Sequence, residues 1–279
     1  MFNPTKLVIR AYVEHLEKQY NRVFGGMEPM YSSVIRWGGT MALENIANSD
    51  ALYHDLEHTV LVTSVGTEIL RGKHITDGQV QPCDWMHFTL SLLCHDVGYV
   101  RGVCPGDGEN TFVINAKGDT VTLPPGATDA SLTPHHVERS EIFVRRRLRS
   151  HPAVDVETVV ANIENTRFPV PQGSDPGATA DYPGLLRAAD LIGQLADPGY
   201  IRKLARLFNE FRETGANRAL GYENPDDLRE GYPRFYWTMA RPYIGEALRY
   251  LAVTQVGKQW IANLHSNAFT QEHGVGTGN

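Results

Sequence analysis

The sequence predicts an all-α, single-domain protein, and three observations carry that expectation. Apolar residues recur at helical spacing in block after block from Thr5 to Phe269. One convincing β-hairpin interrupts them, and no internal repeat, low-complexity linker or shift in composition divides the 279 residues. A chain of this length that is 42% hydrophobic can bury a sizeable core.

Taken in order, Thr5 to Gly25 reads as an amphipathic helix through Leu7, Val8, Tyr12, Leu16, Tyr20 and Phe24, stopped by Gly25-Gly26. A second helix is expected over Tyr31 to Ala47, weakened at Gly38-Gly39. Asn48-Ser49-Asp50 supplies cap chemistry for a third, beginning near Ala51 or Tyr53 and running to Gly72. After a polar loop to about Pro82, Asp84 caps a helix from Trp85 to His95. The stretch from Val97 to Leu132 is rich in glycine, proline and aspartate, and Thr111–Ile114 and Thr120–Leu123 form its hairpin. So long an interruption either covers an active site or decorates the surface. Helical pattern resumes at Thr133, with Pro134 at the first helical position, and runs to about Ser150. Ala153–Thr166 follows, then a proline- and glycine-rich loop from Phe168 to Tyr182, then a helix over Pro183–Leu195. Asp197-Pro198 opens another to about Thr214. Tyr232–Thr254, kinked at Pro242, and Val256–Phe269 complete the helices, and Thr270–Asn279 reads as a frayed tail.

Bulk properties exclude several functions. No run of 18 apolar residues is present, so no membrane span is expected, and Met1-Phe2-Asn3-Pro4-Thr5 lacks the sections of a signal peptide. Cys83, Cys94 and Cys104 have no CxxC spacing and are expected as reduced thiols of a cytoplasmic protein. A net charge of -6 argues against extended nucleic acid as a partner, but not against a small anion beside a metal.

The chemistry concentrates in two stretches. Tyr53-His54-Asp55-Leu56-Glu57-His58-Thr59 places two histidines at i, i+4, which on a helix puts both on one face. His95-Asp96 closes the apolar run Phe88–Cys94, where such a pair is costly to bury unless it is paired or bound to a metal. Asp190 stands in a similarly apolar setting among Leu185, Leu186, Ala188, Ala189, Leu191 and Ile192. Two imidazoles and two carboxylates suit Zn, Mn, Fe, Co or Ni, with coordination positions left open for catalysis.

The order H…HD…D resembles the HD superfamily of metal-dependent phosphohydrolases, helical proteins that include the cyclic-nucleotide phosphodiesterases. Tyr53–Thr59 is similar to the Y-H-N-x-x-H-[AT] stretch of that branch, and His95-Asp96-Val97-Gly98-Tyr99 to the HD-[IV]-G-[YFK] stretch of bacterial members. His136-Val137-Glu138-Arg139-Ser140 resembles their H-x-x-x-S, and Asn165-Thr166-Arg167 and Ala189-Asp190-Leu191 resemble later pieces. The likeness spans Asp50 to Gly193. It implies an HD-type bundle with a core over about 50–195, a hairpin-bearing insertion after the HD doublet, added N-terminal helices (5–47) and C-terminal helices (197–269).

Carried onto this chain, the resemblance implies His58, His95, Asp96 and Asp190 as ligands of a first divalent transition metal, with Asp96 also bridging to any second ion. His136 or His135 is a candidate ligand of that second site, for which Mg is a further candidate ion; the alternative for either histidine is a hydrogen bond at a helix start. His54 is expected as general acid and Asp96 as a catalytic ligand, in the hydrolysis of a phosphoester of a small nucleotide, most plausibly cyclic, by metal-bound hydroxide. A histidine near neutrality suits protonation of a leaving alkoxide. Asp55 or Glu57 is available to orient it, although a solvent-facing position is the expectation for both. Arg139, Arg167 and Arg187 are candidate phosphate clamps, Arg167 first, while Arg145–Arg147 reads as a solvated face and Tyr232, Phe235, Tyr236 and Trp237 as core. Where the phosphodiesterases carry a further Asp and His after HD, this chain reads Gly98 and Tyr99, and Ile163–Thr166 lacks the histidines of the cyclic-di-nucleotide hydrolases. A mononuclear or asymmetric two-metal site follows. The remaining alternatives are a nucleoside mono- or triphosphate phosphohydrolase, a di-iron HD-type oxygenase and a non-catalytic ligand-sensing module. The sequence leaves the oligomeric state open.

Overall fold

Helix-capping chemistry at almost every boundary explains where the helices begin. The computed structural model describes residues 2–170 and 179–274, with side chains to Gln271. Asn3 accepts from Lys6 N–H and opens α1 (Pro4–Phe24), whose buried stripe is Ile9, Val13, Leu16, Tyr20 and Phe24. α2 (Pro29–Ile46) is not weakened at Gly38-Gly39. A Cβ on Gly38 would lie 2.4 Å from Leu90 Cδ2, so the missing side chain lets α4 (Pro82–Cys94) approach. α3 (Leu56–Asp77) starts later than expected, because Asp55 is its cap and accepts from His58 N–H at 3.0 Å. Consequently His54 precedes the helix. Nor does Gly72 stop it; that residue sits inside α3 beneath the Tyr250 backbone. The cap of α4 is Gln81, and Asp84 is its partner three residues on, in a capping box.

A single 3-10 turn, Val97–Tyr99, follows the His-Asp pair. Strands β1 (Thr111–Val113) and β2 (Thr120–Thr122) pair antiparallel with Phe112 opposite Val121, and Phe112 packs with Leu123 and Leu132 in a small satellite cluster. Pro134 falls within a 3-10 segment, Asp129–His135, so α5 (His136–Arg147) begins only at His136. α6 (Val156–Glu164) is capped by Asp155, and α7 (Tyr182–Leu195) by Asp181. Residues 171–178 of the expected loop and 275–279 of the expected tail lie outside the described residues. α8 (Tyr200–Thr214) and the short α9 (Ala216–Leu220) lead into α10 (Pro225–Phe235), which starts earlier than periodicity suggested because Asn224 and Asp227 form a capping box. In place of one helix kinked at Pro242, a π-helical turn (Tyr236–Ala240) joins α10 to α11 (Arg241–Leu251), and α12 (Gln255–Gly274) closes the chain.

One apolar core runs through these helices, from Ile9 of α1 to Ala268 of α12. Among the described residues no helix is long and apolar enough to cross a membrane. The 97–132 stretch is tied to α5 by Arg139, which is fully buried. Its guanidinium donates to Gly98 O (2.7 Å), Val100 O (2.9 Å), Val113 O and both oxygens of Asp107. Arg139 is therefore the internal anchor of the insertion, and its expected role as a phosphate clamp is corrected. At the centre, α3 crosses α7 so closely that a Cβ on Gly193 would lie 2.8 Å from Val62 Cα.

Backbone cannot yield as a side-chain end can, so Gly193→Ala should destabilise the fold by about 1–3 kcal/mol through overpacking. The expected readout is a lower urea midpoint with an unchanged slope. An unchanged midpoint would show that the helices separate freely.

Candidate metal centre

Four side chains from three helical segments meet where α3, α4 and α7 converge. His58 stands in the first turn of α3, His95 and Asp96 follow the end of α4, and Asp190 lies mid-way along α7. His58 Nε2 is 3.3 Å from Asp96 Oδ2 and 3.4 Å from Asp190 Oδ1, and His95 Nε2 is 3.2 Å and 3.8 Å from the same oxygens. His58, His95 and Asp96 are at most 4% exposed. Yet His58 Nε2, His95 Nε2 and Asp96 Oδ2 have no hydrogen-bond partner. Buried polar atoms without partners are rare, and three aimed at one point fit a shared cation. The expected ligand set is thus brought together, and its donors suit a divalent transition metal.

Tautomers are fixed from outside the cluster. His95 Nδ1–H donates to Leu92 O (2.8 Å), which leaves Nε2 as the free acceptor. His136 does the same through Thr133 O (2.6 Å), and its Nε2 lies 3.8 Å from Asp96 Oδ1, the oxygen facing away from His58. His136 is therefore placed to extend the site to a second ion, while His135 lies outside both the cluster and the adjoining cavity. Ser140, one turn along α5 from His136, accepts from Gly98 N–H (2.9 Å) and donates to His95 O (2.7 Å). Gly98 is obligatory there, since a Cβ would meet His136 O at 1.9 Å.

Charges in the cluster hold one another. Burial lowers the His58 pKa, but the Asp190 and Asp96 carboxylates outweigh it and raise the imidazole to about 10. Burial pushes the Asp96 carboxyl up, and His95 and His58 bring it well below its ordinary value.

His54 has a different partner. Its Nδ1–H donates to Glu210 Oε2 (2.6 Å), while Glu210 Oε1 accepts from the backbone N–H of Tyr53 (2.7 Å) and His54 (3.2 Å). Burial lowers the His54 pKa, and Glu210 more than compensates, so the imidazole is raised. The ring stacks on Tyr99 at 4.6 Å and 10°, and Tyr99 stacks in turn on His136. One His54 nitrogen lies within 4.8 Å of the His58 and Asp96 donors. The residues proposed from sequence to orient it are occupied elsewhere: Asp55 caps α3, and Glu57 pairs with Lys203. Glu210 was missed. Its signal was a carboxylate at the edge of the apolar stripe of α8, beside Leu207.

A cavity of about 240 Å³ opens from His54, Asp96, His136 and Asp190, room for a small molecule rather than a polymer. None of its lining residues comes from 100–132, so the hairpin does not cover it. Arg167 reaches the lining, but Glu138 (2.8 Å) and Glu164 (2.5 Å) already answer its charge. Arg187 is the better placed arginine. It is 6% exposed, lines the cavity one turn from Asp190, donates to Asn165 and lies over the Tyr243 ring at 5.2 Å; among the described residues no carboxylate stands at ion-pair distance, and Asp181 acts on it only from farther off. Burial lowers its pKa accordingly.

A family model described as Npun_R2479-like matches residues 2–274. The chain belongs to that family. No curated protein matches it.

A metal must displace the proton that His58 carries at neutral pH. Zinc or manganese titrated into chelator-treated protein at pH 7 should release at least one proton per ion, seen as a heat that varies with buffer ionisation enthalpy. Affinity should fall about tenfold per pH unit below neutrality for each proton displaced. A heat independent of buffer would mean that the ion binds elsewhere.

Proposed function

We propose that this member of the Npun_R2479-like family is a metal-dependent phosphohydrolase of HD type, acting on a phosphoester of a small molecule. One observation carries the reading: three partnerless buried donor atoms converge beside a carboxylate-braced histidine and a buried arginine with no ion-pair partner among the described residues, around one cavity. The order of the motifs that supply those residues supports the HD-type assignment.

His58, His95, Asp96 and Asp190 would hold the cation, with His136 beside the second oxygen of Asp96 for an asymmetric second ion. A divalent ion supplies Lewis acidity toward phosphoryl oxygens and lowers the pKa of coordinated water. Everything else falls to the chain. Arg187 keeps a guanidinium with spare donors where it can take a non-bridging phosphoryl oxygen, and its burial raises the value of that contact. Arg167, neutralised by Glu138 and Glu164, shapes the wall instead. Glu210 raises the His54 pKa and Tyr99 holds the ring flat, an arrangement suited to giving a proton to a departing alkoxide. Glu210 acts through His54 and is a positioning residue.

The test is release of phosphate or alcohol from p-nitrophenyl phosphate, its diester and nucleotides, with Mn, Fe, Co, Ni and Zn supplied in turn. No release with any of them would overturn the reading. His54→Ala should retain metal and lose about 100-fold or more in turnover, the range of general acid catalysis; loss of metal would make His54 a ligand instead. In Glu210→Gln the imidazole loses the carboxylate that raises its pKa. A general acid works only while protonated, so activity should fall off at lower pH on the alkaline limb. Arg187→Met should raise KM about tenfold or more, the cost of a lost charged hydrogen bond (~1.5–3 kcal/mol).

A further inference from the structure

The cavity beyond the metal centre is walled by the part of the chain that resembles no motif. Leu207 and Phe211 of α8, Leu220 of α9, Leu228 and Phe235 of α10, and Met239 of the π-helical turn line it. At its mouth Phe168, Leu220 and Met239 stand 45%, 47% and 36% exposed, three large apolar side chains around one opening. Grouped exposure of this kind marks a binding surface, whereas single exposed apolar residues do not. The π-helical turn that carries Met239 is itself a rare conformation found mostly at functional sites.

Recognition of a nucleobase needs free donors and acceptors on these walls. Gln194 is the one amide side chain in the lining, and its nitrogen donates to Tyr200 OH at 3.3 Å. Thr238 donates to Arg234 O at 2.7 Å within its own helical turn. The charged groups nearest the candidate metal centre are Arg187, His54 and Asp190. The wall along α8, α9 and α10 is mostly apolar, with Tyr222, Tyr232 and Arg234 interspersed, and Tyr232 spends its hydroxyl proton on Leu195 O at 3.0 Å.

We infer that the substrate is a phosphoester of an apolar alcohol, its alkyl or aryl body lying along α8, α9 and α10 and its phosphoryl group at Arg187, and not a nucleotide. This rests on the phosphohydrolase reading for the fate of the ester, but not for binding of the apolar body.

Hexylphosphonate, which cannot be hydrolysed at its carbon–phosphorus bond, separates the two. Titrated calorimetrically into the metal-loaded protein, it should bind at least about 10-fold tighter than methylphosphonate, as burial of a few methylenes requires. Its binding should also carry a negative heat-capacity change. Phe168→Glu and Leu220→Glu alter exposed side chains, and circular dichroism and melting temperature check that both variants fold. Each should bring hexylphosphonate down toward the affinity of methylphosphonate while methylphosphonate binding stays as it was. Equal affinity for the two phosphonates, or adenosine monophosphate binding as tightly as hexylphosphonate, would overturn the inference. If hexylphosphonate binds as expected and no ester is cleaved, the hydrolase reading fails and the apolar subsite stands. If p-nitrophenyl phosphate is cleaved and hexylphosphonate binds no better than methylphosphonate, the subsite alone fails.

Discussion

The site depends on how closely α3 can approach its neighbours. Val62 lies one turn beyond His58 on α3, and Gly193 lies one turn beyond Asp190 on α7. Contact of Gly193 with the Val62 backbone therefore brings His58 and Asp190 level and within 3.4 Å. A second glycine, Gly66 on α3, works the same way. A Cβ on Gly66 would meet Leu92 at 2.4 Å, so its absence lets the end of α4 reach α3 and deliver His95 and Asp96. Donor atoms from three helical segments converge because two side chains are missing from the packing between them. The convergence leaves carboxylates and imidazoles out of water, a state that needs a compensating cation or proton.

A second set of contacts, all polar, governs the loops around the ligands. Ser140 links Gly98 to the carbonyl of His95, and Arg139 gathers the carbonyls of Gly98, Val100 and Val113 onto Asp107. The chain just after Asp96 thereby becomes rigid, as a ligand at the end of a helix requires. Glu210 does the equivalent for Tyr53 and His54 from the opposite side, and it belongs to α8. The C-terminal helices thus take part in the candidate site, supplying the brace for His54 as well as the apolar walls.

The clustering of the candidate ligands was legible because its evidence is chemical and local: a His-Asp pair ending an apolar run, and an aspartate inside another. The helices were legible wherever apolar residues repeat at helical spacing. What escaped depends on neighbours distant in sequence. Arg139, Arg167 and Arg187 look alike in a string of letters, yet Arg139 is enclosed by backbone carbonyls, Arg167 is flanked by glutamates and Arg187 has no carboxylate at ion-pair distance among the described residues. Glu210 is 156 residues from His54. The π-helical turn at Tyr236–Ala240 and the short α9 have no periodicity of their own to give them away. Capping was misjudged at Asp55 for a different reason: Asn48-Ser49-Asp50 and Asp55 both offer cap chemistry, and only packing selects between them.

That choice of cap has a chemical consequence. Histidines at i, i+4 on one helix would offer two equivalent ligands, but Asp55 ends the helix between them and leaves His54 on non-helical backbone. Each imidazole then takes its charge from a different kind of neighbour. The carboxylates facing His58 are Asp96 and Asp190, which stand with it in the candidate metal cluster. The carboxylate facing His54 is Glu210, which braces the imidazole from α8 and raises its pKa. Two histidines four residues apart therefore face different kinds of partner around one cavity. The difference is set by a helix cap and by one glutamate from the far end of the chain.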